Sequence, residues 1–322
     1  MFGMFTSKHT PVSRWHICHY AMIKKCCSTL FMLAALLLTA CGNPATTHEV
    51  YPPDFEIQIS QNNEQTQTSP DDLLSVHFIN IGEGDAILLI QGEYAMLVDG
   101  GPVDTATVVV AYLQNQGIAH LEYLVATHPF ADHVGGLPVV LRNIPVAHIL
   151  LPMVYHDTPI YNNFLFAVEE SSANVAVPFA GHTFELGDAT ITVLSPNPTD
   201  QWENRANYSI VMRVEFGSTS FLLTGDAMRE AESNLLNGQA NLSSDVLKVA
   251  RHGAASATTS AFLDAVNPSI AVISAGVENS FLSQEVLKRL EDANAHIFRT
   301  DLNGNIIITS DGTTLGVSVE SQ

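Results

Sequence analysis

The chain has 322 residues, enough for one large domain or two smaller ones, and 46% of them are apolar, which excludes a disordered chain. Acidic residues outnumber Lys and Arg 33 to 13, and all 33 lie after residue 41, where 9 of the 13 basic residues remain, so this part carries a net charge of about −24. So acidic a surface repels phosphate backbones and excludes tight non-specific nucleic-acid binding. Transient attack on a nucleic acid, aided by a metal ion, is not excluded.

The N-terminus carries the pattern of a lipoprotein signal. Two lysines precede an apolar run at 30–38, and residues 38–41, Leu-Thr-Ala-Cys, resemble a bacterial lipobox in which Cys41 is lipidated. Several acyl chains on Cys41 would anchor the chain to the extracytoplasmic face of the cell membrane. The alternative is a short transmembrane anchor, although the apolar run is short for a span. Met22 makes a better signal start than Met1, which leaves two candidate first residues.

Three regions follow from composition. Residues 1–41 form an N-terminal extension and signal peptide, residues 42–72 are rich in Asn, Pro, Thr, Gln and Ser and predict a flexible linker, and residues 73–322 form the folded domain. All four cysteines lie in the first 41 residues. The folded domain therefore has neither a disulfide framework nor a thiolate metal site.

Short apolar runs between Gly-containing turns predict strands, and runs with helical spacing predict helices. The predicted strands are 76–81, 86–90, 94–98, 121–126, 146–151, 191–194, 210–216, 220–224, 305–310 and 314–319, with a hairpin turned at Gly217. The predicted helices are 105–115, 164–170 and 284–293, and helix and strand alternate between 230 and 273. Strand meanders that alternate with helices predict an α/β (α+β) fold, a four-layer αββα sandwich with two sheets face to face and helices outside.

The most informative stretch is Thr-His-Pro-Phe-Ala-Asp-His-Val-Gly-Gly at 127–136. It follows the buried strand predicted at 121–126 and places His128, Asp132 and His133 within six positions. Imidazole and carboxylate are the usual non-sulfur ligands of Zn²⁺ and similar ions. A lone histidine is more often structural, but three ligand types at one strand tip predict a metal site.

Further candidate ligands stand at the tips of other strands. Asp226 ends Phe-Leu-Leu-Thr-Gly-Asp, where it is a metal ligand or, in the alternative, a turn residue or helix N-cap. His252 follows the strand-like run at 247–250 and is a further candidate ligand. Asp99, which ends a strand before two glycines, is expected to orient a ligand or to close the turn.

These segments, in this order, resemble the metallo-β-lactamase fold and, more narrowly, the soluble hydrolase domain of the ComEC-type competence proteins. The resemblance covers about residues 74–318 and rests on 76–89, 97–101, 121–137, 184–196, 207–227, 245–253 and 298–312. An intact member of this family is implied to hold two metal ions and to attack a phosphodiester or other ester with water.

Three departures from the family pattern change what the resemblance implies. Phe130 replaces the second histidine of His-x-His-x-Asp-His, Arg251 replaces the first histidine of His-His-Gly-Ser, and Ser283 lies where a Gly-His-Pro is common. Phenylalanine cannot bind a metal, and Arg251 adds positive charge that disfavours a second cation. The ligand types that remain are His128, Asp132, His133, Asp226 and His252. We therefore expect one divalent ion, Zn²⁺ or Mn²⁺, in preference to two.

Two functions from different classes remain. The first is a membrane-anchored metal-dependent hydrolase of phosphodiester or other ester bonds, in which Asp132 holds or accepts the proton of the attacking water and Arg251 binds the substrate anion. Arg251 is, in the alternative, a structural salt-bridge partner. The second function is a catalytically degenerate binding module or scaffold at the cell surface, with one ion or none. A role in DNA uptake rests on the family analogy alone.

Overall fold

The computed structural model describes residues 72–277 and 281–320. The predicted N-terminal extension, the signal with Cys41 and residues 42–71 of the predicted linker lie outside the described residues. Over the described ranges, no helix combines the length and the apolar character that a membrane crossing needs.

The strands fall into two sheets. In chain order they are β1 (Leu74–Phe78), β2 (Ile87–Gln91), β3 (Tyr94–Val98), β4 (Leu121–Val125), β5 (Val146–Leu150), β6 (Asn174–Ala176), β7 (Thr183–Leu186), β8 (Ala189–Ser195), β9 (Val211–Phe216), β10 (Thr219–Leu223), β11 (Val246–Lys248), β12 (Ile270–Ile273), β13 (His296–Arg299), β14 (Asn305–Ser310) and β15 (Leu315–Glu320). The first sheet has the order β15-β14-β1-β2-β3-β4-β5-β6, and the second has the order β13-β12-β11-β10-β9-β8-β7.

Both sheets share one plan. Antiparallel pairs join β15 through β3 in the first sheet and β7 through β10 in the second, and parallel pairs continue from β3 to β6 and from β10 to β13. Because parallel neighbours end at the same edge, each sheet has one edge where several strand tips meet. Ligand sites of open α/β sheets lie at such edges.

The helices are α1 (Ala106–Asn115), α2 (Ala131–Val134), α3 (Leu137–Asn143), α4 (Pro159–Glu170), α5 (Arg229–Asn237), α6 (Ser260–Val266), α7 (Gln284–Asp292) and α8 (Thr300–Asn303), with 3-10 turns at Val103–Thr105, Arg205–Tyr208 and Ala250–Gly253. Helices α1, α3 and α4 pack on the first sheet, and α5, α6 and α7 pack on the second.

The core lies in three layers that follow from strand alternation. On β3, Met96 and Val98 face the second sheet, and Ala95 and Leu97 face the helices. Between the sheets, side chains from both sheets, such as Phe78 and Phe221, form one cluster. The two outer clusters bury the apolar faces of the helices, and the predicted αββα arrangement is confirmed.

Most predicted elements are present, with small shifts at their ends. The hairpin at Gly217 is confirmed, because Phe216 pairs with Thr219 across a two-residue turn and Gly217 has a φ of 59°. The helix predicted at 164–170 begins five residues earlier, because the hydroxyl of Thr158 accepts a hydrogen bond from the backbone of Tyr161 and Pro159 suits the first turn. Short, half-exposed edge strands β6, β7 and β13 lack a strong apolar pattern and were not predicted individually.

Candidate metal centre

Strand tips from both sheets converge on one point. In the first sheet, Asp99 follows β3 and the segment 128–133 follows its parallel neighbour β4. In the second sheet, Asp226 follows β10 and His252 follows its parallel neighbour β11. Overlapping groups of ligand atoms within 4.8 Å of one another join all the predicted ligands and Asp99: His128, Asp132, His133, Asp226, His252 and Asp99.

The loops around this point are held in demanding backbone conformations. Arg251 and His252 both adopt positive φ angles, 50° and 53°, which cost on the order of 1 kcal/mol each for residues other than glycine. This conformation turns His252 toward the ligand cluster and Arg251 toward the neighbouring cleft. Gly84 has a φ of 113°, and a Cβ there would collide with the backbone carbonyl of Asp132. The β1–β2 loop can therefore close over the cluster only with glycine at this position.

Asp99 orients two of the histidines. Its carboxylate accepts hydrogen bonds from the Thr127 backbone at 2.8 Å, from the Thr127 hydroxyl at 2.6 Å and from His133 Nδ1 at 2.8 Å. Because the Thr127 hydroxyl donates to Asp99, its oxygen accepts from His128 Nδ1 at 3.0 Å. Both rings are thereby fixed with Nε2 toward the cluster.

His252 is oriented by the backbone. Its Nδ1 donates to the carbonyl oxygen of Ser274 at 3.2 Å, so Nε2 is the atom that faces Asp132 and Asp226. Metal-binding histidines in proteins commonly make such a bond through the other ring nitrogen. All three rings thus present the same nitrogen to one space.

Four of the facing atoms lie near the spacing that a single divalent ion requires. His133 Nε2 lies 3.4 Å from Asp226 Oδ1 and 3.8 Å from Asp132 Oδ2, and His252 Nε2 lies 3.5 Å and 3.6 Å from the same two oxygens. Tetrahedral ligands at bond lengths of about 2.0–2.2 Å are separated by about 3.3–3.6 Å. His133 Nε2 and Asp226 Oδ1 are also buried without a hydrogen-bond partner among the described residues, which a bound cation would satisfy. We name these four residues the intact half of the centre.

The other half of the centre keeps fewer ligand atoms. His128 Nε2 lies 3.7 Å from Asp226 Oδ2. The Phe130 ring packs against His128 at a centroid distance of 5.0 Å and against His156 at 5.5 Å. An apolar ring therefore stands beside the two remaining ligand atoms. We name His128, Asp226 Oδ2 and Phe130 the depleted half.

The surrounding charges keep Asp226 and Asp132 in the ionised form that can bind a metal ion. Burial raises the pKa of Asp226, but His252 and His133 outweigh it and hold that pKa well below its usual value. Burial also raises the pKa of Asp132. The hydrogen bond with His252 and the charge of His133 outweigh burial and hold that pKa below its usual value. Both acids are therefore ionised at neutral pH. Burial lowers the pKa of His128 to about 3, so its ring is neutral.

His133 differs from His128 in its charge. Burial lowers its pKa, but the carboxylates of Asp226 and Asp99 outweigh burial and raise the pKa well above 6.5. Without a metal ion, His133 therefore carries a proton on Nε2 beside Asp226. A cation that binds at Nε2 must displace this proton.

Two residues of the centre were not predicted from the sequence. Asp85, in the β1–β2 loop, is buried and forms an ion pair with the fully buried Lys248 of β11. Lys248 also donates to the Gly225 carbonyl at 3.2 Å, and the Asp85 carboxylate lies 3.7 Å from His252 Nδ1. Burial raises the pKa of Asp85, but Lys248 together with His252 and His133 outweighs burial and holds the pKa below its usual value. A charged pair thus lies directly behind the candidate ligands.

A signal for both residues is present in the sequence. Asp85 ends a Gly-Glu-Gly-Asp turn between two strands, and Lys248 interrupts the apolar run of β11. A lysine inside a buried strand needs an acidic partner, because an unpaired buried charge is costly.

The structure also places the residues at the other departures from the family pattern. Arg251 Nη1 donates to Ser256 Oγ at 3.0 Å and to Met228 Sδ at 3.1 Å. Ser283 caps α7 by accepting from the Glu285 backbone at 3.2 Å, and its own backbone N–H donates to Gly253. Ser283 therefore stabilises the segment behind His252 and adds no ligand.

Comparison with known proteins agrees with this architecture. The chain is 30% identical over 251 residues to ComE operon protein 3 of Bacillus subtilis, a match over 72% of this chain and 32% of that protein. It is 28% identical over 239 residues to competence protein ComA of Neisseria gonorrhoeae, over 73% of this chain and 32% of that protein. The chain thus spans about a third of the length of these relatives.

A solved structure shows the same fold. The metallo-beta-lactamase fold protein YhfI from Bacillus subtilis aligns with 74% of this chain and 100% of its own length, with a TM-score of 0.50 and 15% sequence identity. The predicted resemblance to the competence proteins is confirmed by the two relatives.

The family pattern covers the candidate centre from the end of β1 to beyond β12. The fold implies binding of a divalent metal, and the cluster supplies candidate ligand groups. The sequence pattern of the metallo-beta-lactamase superfamily matches residues 79–277, and the chain belongs to that superfamily.

Proposed function

We propose that this protein is a membrane-anchored hydrolase that uses one divalent ion, Zn²⁺ or Mn²⁺, to cleave phosphodiester or other ester bonds. The observation that carries the proposal is the contrast between the two halves of the centre. In the intact half, the Nε2 atoms of His133 and His252 each lie 3.4–3.8 Å from one oxygen of Asp132 and one of Asp226, close to the ligand separations of one coordination sphere. The depleted half offers two ligand atoms, beside Phe130.

The ion would supply Lewis acidity and a water molecule with a lowered pKa. The protein supplies the proton acceptor, the anion site and the fixed geometry. The side chain of Asp132 is 31% exposed, whereas that of Asp226 is 4% exposed, so Asp132 is the acid that reaches the cleft. Its ionised carboxylate holds or accepts the proton of the attacking water.

Arg251 binds the negative charge of the ester. Within the described residues, no carboxylate lies within ion-pair distance of its guanidinium, and its Nη1 is held by Ser256 and Met228. This supports the substrate role over the salt-bridge alternative. A guanidinium fixed in this way can meet a phosphoryl oxygen with little loss of side-chain entropy.

The experiment is metal analysis joined to turnover. The full-length chain reconstituted with Zn²⁺ or Mn²⁺ should bind about one ion and hydrolyse a model phosphodiester such as bis(p-nitrophenyl) phosphate. Asp132→Ala should abolish turnover, and Asp264→Ala, at an exposed position of α6, should leave it unchanged. A reconstituted protein without bound metal would end the proposal.

Membrane anchoring through Cys41 belongs to the same proposal. Its support is the lipobox pattern in the sequence. Metabolic labelling with a radioactive fatty acid should mark the wild-type chain and not Cys41→Ala. Equal labelling of the two chains would remove the anchor from the proposal.

A second function is favoured by one specific observation. The ring of Phe130 stands in a ligand position, which suits a degenerate module that binds a partner without catalysis. This function predicts no turnover of phosphodiester, phosphomonoester, lactone or thioester substrates with the ion bound. Turnover that Asp132→Ala abolishes would exclude it.

A role in competence is suggested only by the relatives' names. The net charge of −20 opposes direct DNA binding. Gel-shift measurements at low salt test direct DNA binding. Binding that is absent at low salt is also absent at physiological salt, because salt weakens it further.

A further inference from the structure

A cleft opens directly above the ligand cluster. It has a volume of about 350 Å³, and its walls include Asp132 and Asp226 together with Phe130, His156, Arg251 and Phe281. This volume lies at the lower end of the range of small-molecule sites. The reacting group of a substrate can therefore lie at the cluster while its substituent fills the cleft.

Two phenyl rings border the ligands in this cleft. Phe130 contacts the His128 ring at a centroid distance of 5.0 Å, and Phe281 contacts the His252 ring at 6.1 Å. Phe281 is 38% exposed, which is unusual for a large apolar side chain next to a charged cluster. Neither ring can bind a metal or donate a classical hydrogen bond. Their chemistry at this place is to pack against a flat apolar group.

The anion site lies in the same wall as one of the rings. The Arg251 guanidinium is 5.9 Å from the centre of the Phe281 ring. This cation–π contact and the bonds to Ser256 and Met228 fix both side chains together. A negative charge and an aromatic ring on one ligand can therefore be bound side by side.

Charge limits the size of the ligand. The whole chain has a net charge of −20, so a polyanion meets repulsion beyond the cleft. A single phosphoryl group would be balanced locally by Arg251 and a bound divalent ion. These observations favour a small monomeric ester over a polymer.

Building on the proposed function, we propose that the substrate is a small aryl phosphoester, with its phosphoryl group at Arg251 and the ion and its aromatic group between Phe130 and Phe281. Phe130 is then a specificity residue as well as a missing ligand. The class is defined by a flat aromatic ring joined to a phosphoryl group through the ester oxygen.

Binding of unreactive phosphonates tests this inference apart from turnover. Calorimetric titration of the zinc-reconstituted full-length chain should show phenylphosphonate binding about tenfold more tightly than methylphosphonate or cyclohexylphosphonate. Phe281→Ala should reduce this preference to about twofold or less, and Phe130→Ala should also reduce it. Phe166→Ala, an exposed ring of α4 outside the cleft walls, is the matched control and should keep the tenfold preference.

Each contrary result overturns the inference. Equal affinity for the phenyl and methyl compounds, no binding of either, or an unchanged preference in Phe281→Ala would each do so. Cyclohexylphosphonate bound as tightly as the phenyl compound would remove the need for a flat ring. Phe281 is partly exposed, so the fold should tolerate Phe281→Ala. This variant therefore tests the inference even if Phe130→Ala does not fold. Failure of the proposed function is separate, because it appears as absent metal or absent ester turnover.

Discussion

The intact half of the centre, around His133 and His252, presents four ligand atoms, whereas the depleted half, around His128, presents two beside a phenyl ring. Both halves share the buried Asp226, one carboxylate oxygen facing each. The same orienting network, from Asp99 through Thr127, reaches His128 and His133 alike. His128 and His133 are thus held alike, and the two halves differ in the number of ligands beside them. A ligand can be well oriented and still lack enough neighbours to bind an ion.

The first prediction removes one ligand from each half. His252→Ala should weaken Zn²⁺ binding by roughly a hundredfold to a thousandfold, because it deletes a buried ligand that belongs to the intact half alone. His128→Ala should weaken it by less than about tenfold. Competition with a chromogenic chelator measures both affinities. Similar losses in the two variants would show that the halves act as one site.

The second prediction concerns the charged pair behind the intact half. Lys248→Met leaves the Asp85 carboxylate buried without its cation, and should lower the free energy of unfolding by about 3–5 kcal/mol. The double variant Lys248→Met with Asp85→Asn removes both charges and should recover most of that loss. Urea unfolding followed by circular dichroism measures the two variants against wild type. If Lys248→Met is as stable as wild type, the ion pair contributes little to the free energy of unfolding.

The third prediction uses the raised pKa of His133. Because its proton must leave before a cation binds, Zn²⁺ affinity should fall about tenfold for each pH unit below that pKa. The sign for folding of the metal-free protein is opposite. A raised pKa stabilises the fold below the unfolded value of about 6.5, and the stabilisation is lost as the pH rises through the folded value.

Chelator competition at pH 6, 7 and 8 measures the expected loss of metal affinity at low pH. Thermal unfolding of the metal-free chain at the same pH values measures the expected loss of stability at high pH. A metal affinity independent of pH would contradict the proton displacement. Replacement of Asp99 by Asn removes one of the two acids that raise the pKa of His133, so it should shift the pH dependence to lower pH.

The same comparison shows what sequence can and cannot predict about this centre. The five candidate ligands each follow an apolar strand, and because parallel strand tips meet, their proximity was predictable: His128, Asp132, His133, Asp226 and His252. The replacement of a histidine of the family pattern by Phe130 was also visible in the sequence. The separation into two halves required atomic distances, since the two oxygens of Asp226 face different neighbours.

Asp85 and Lys248 show what the sequence alone does not predict. Each residue alone reads as an ordinary turn acid or a strand lysine, and 163 positions separate them in the chain. Their pairing depends on the packing of one sheet against the other, for which local pattern carries no information. The cleft rings are similar, because Phe130 and Phe281 come from distant loops. The fold was therefore more predictable than the electrostatics and the cleft of the centre.

The last prediction rebuilds the depleted half. Phe130→His supplies a third ligand beside His128 and Asp226 Oδ2, so a second ion should bind, but about two orders of magnitude more weakly than the first. The guanidinium of Arg251 lines the same cleft and opposes a further positive charge. Adding Arg251→His should strengthen the second site, because it removes that charge and adds an imidazole. Metal analysis over a range of free Zn²⁺ measures the stoichiometry of the single and double variants. One ion in both variants would mean that ligand number alone does not set the difference between the two halves, and that the buried charge of Lys248 or the shape of the cleft excludes the second ion.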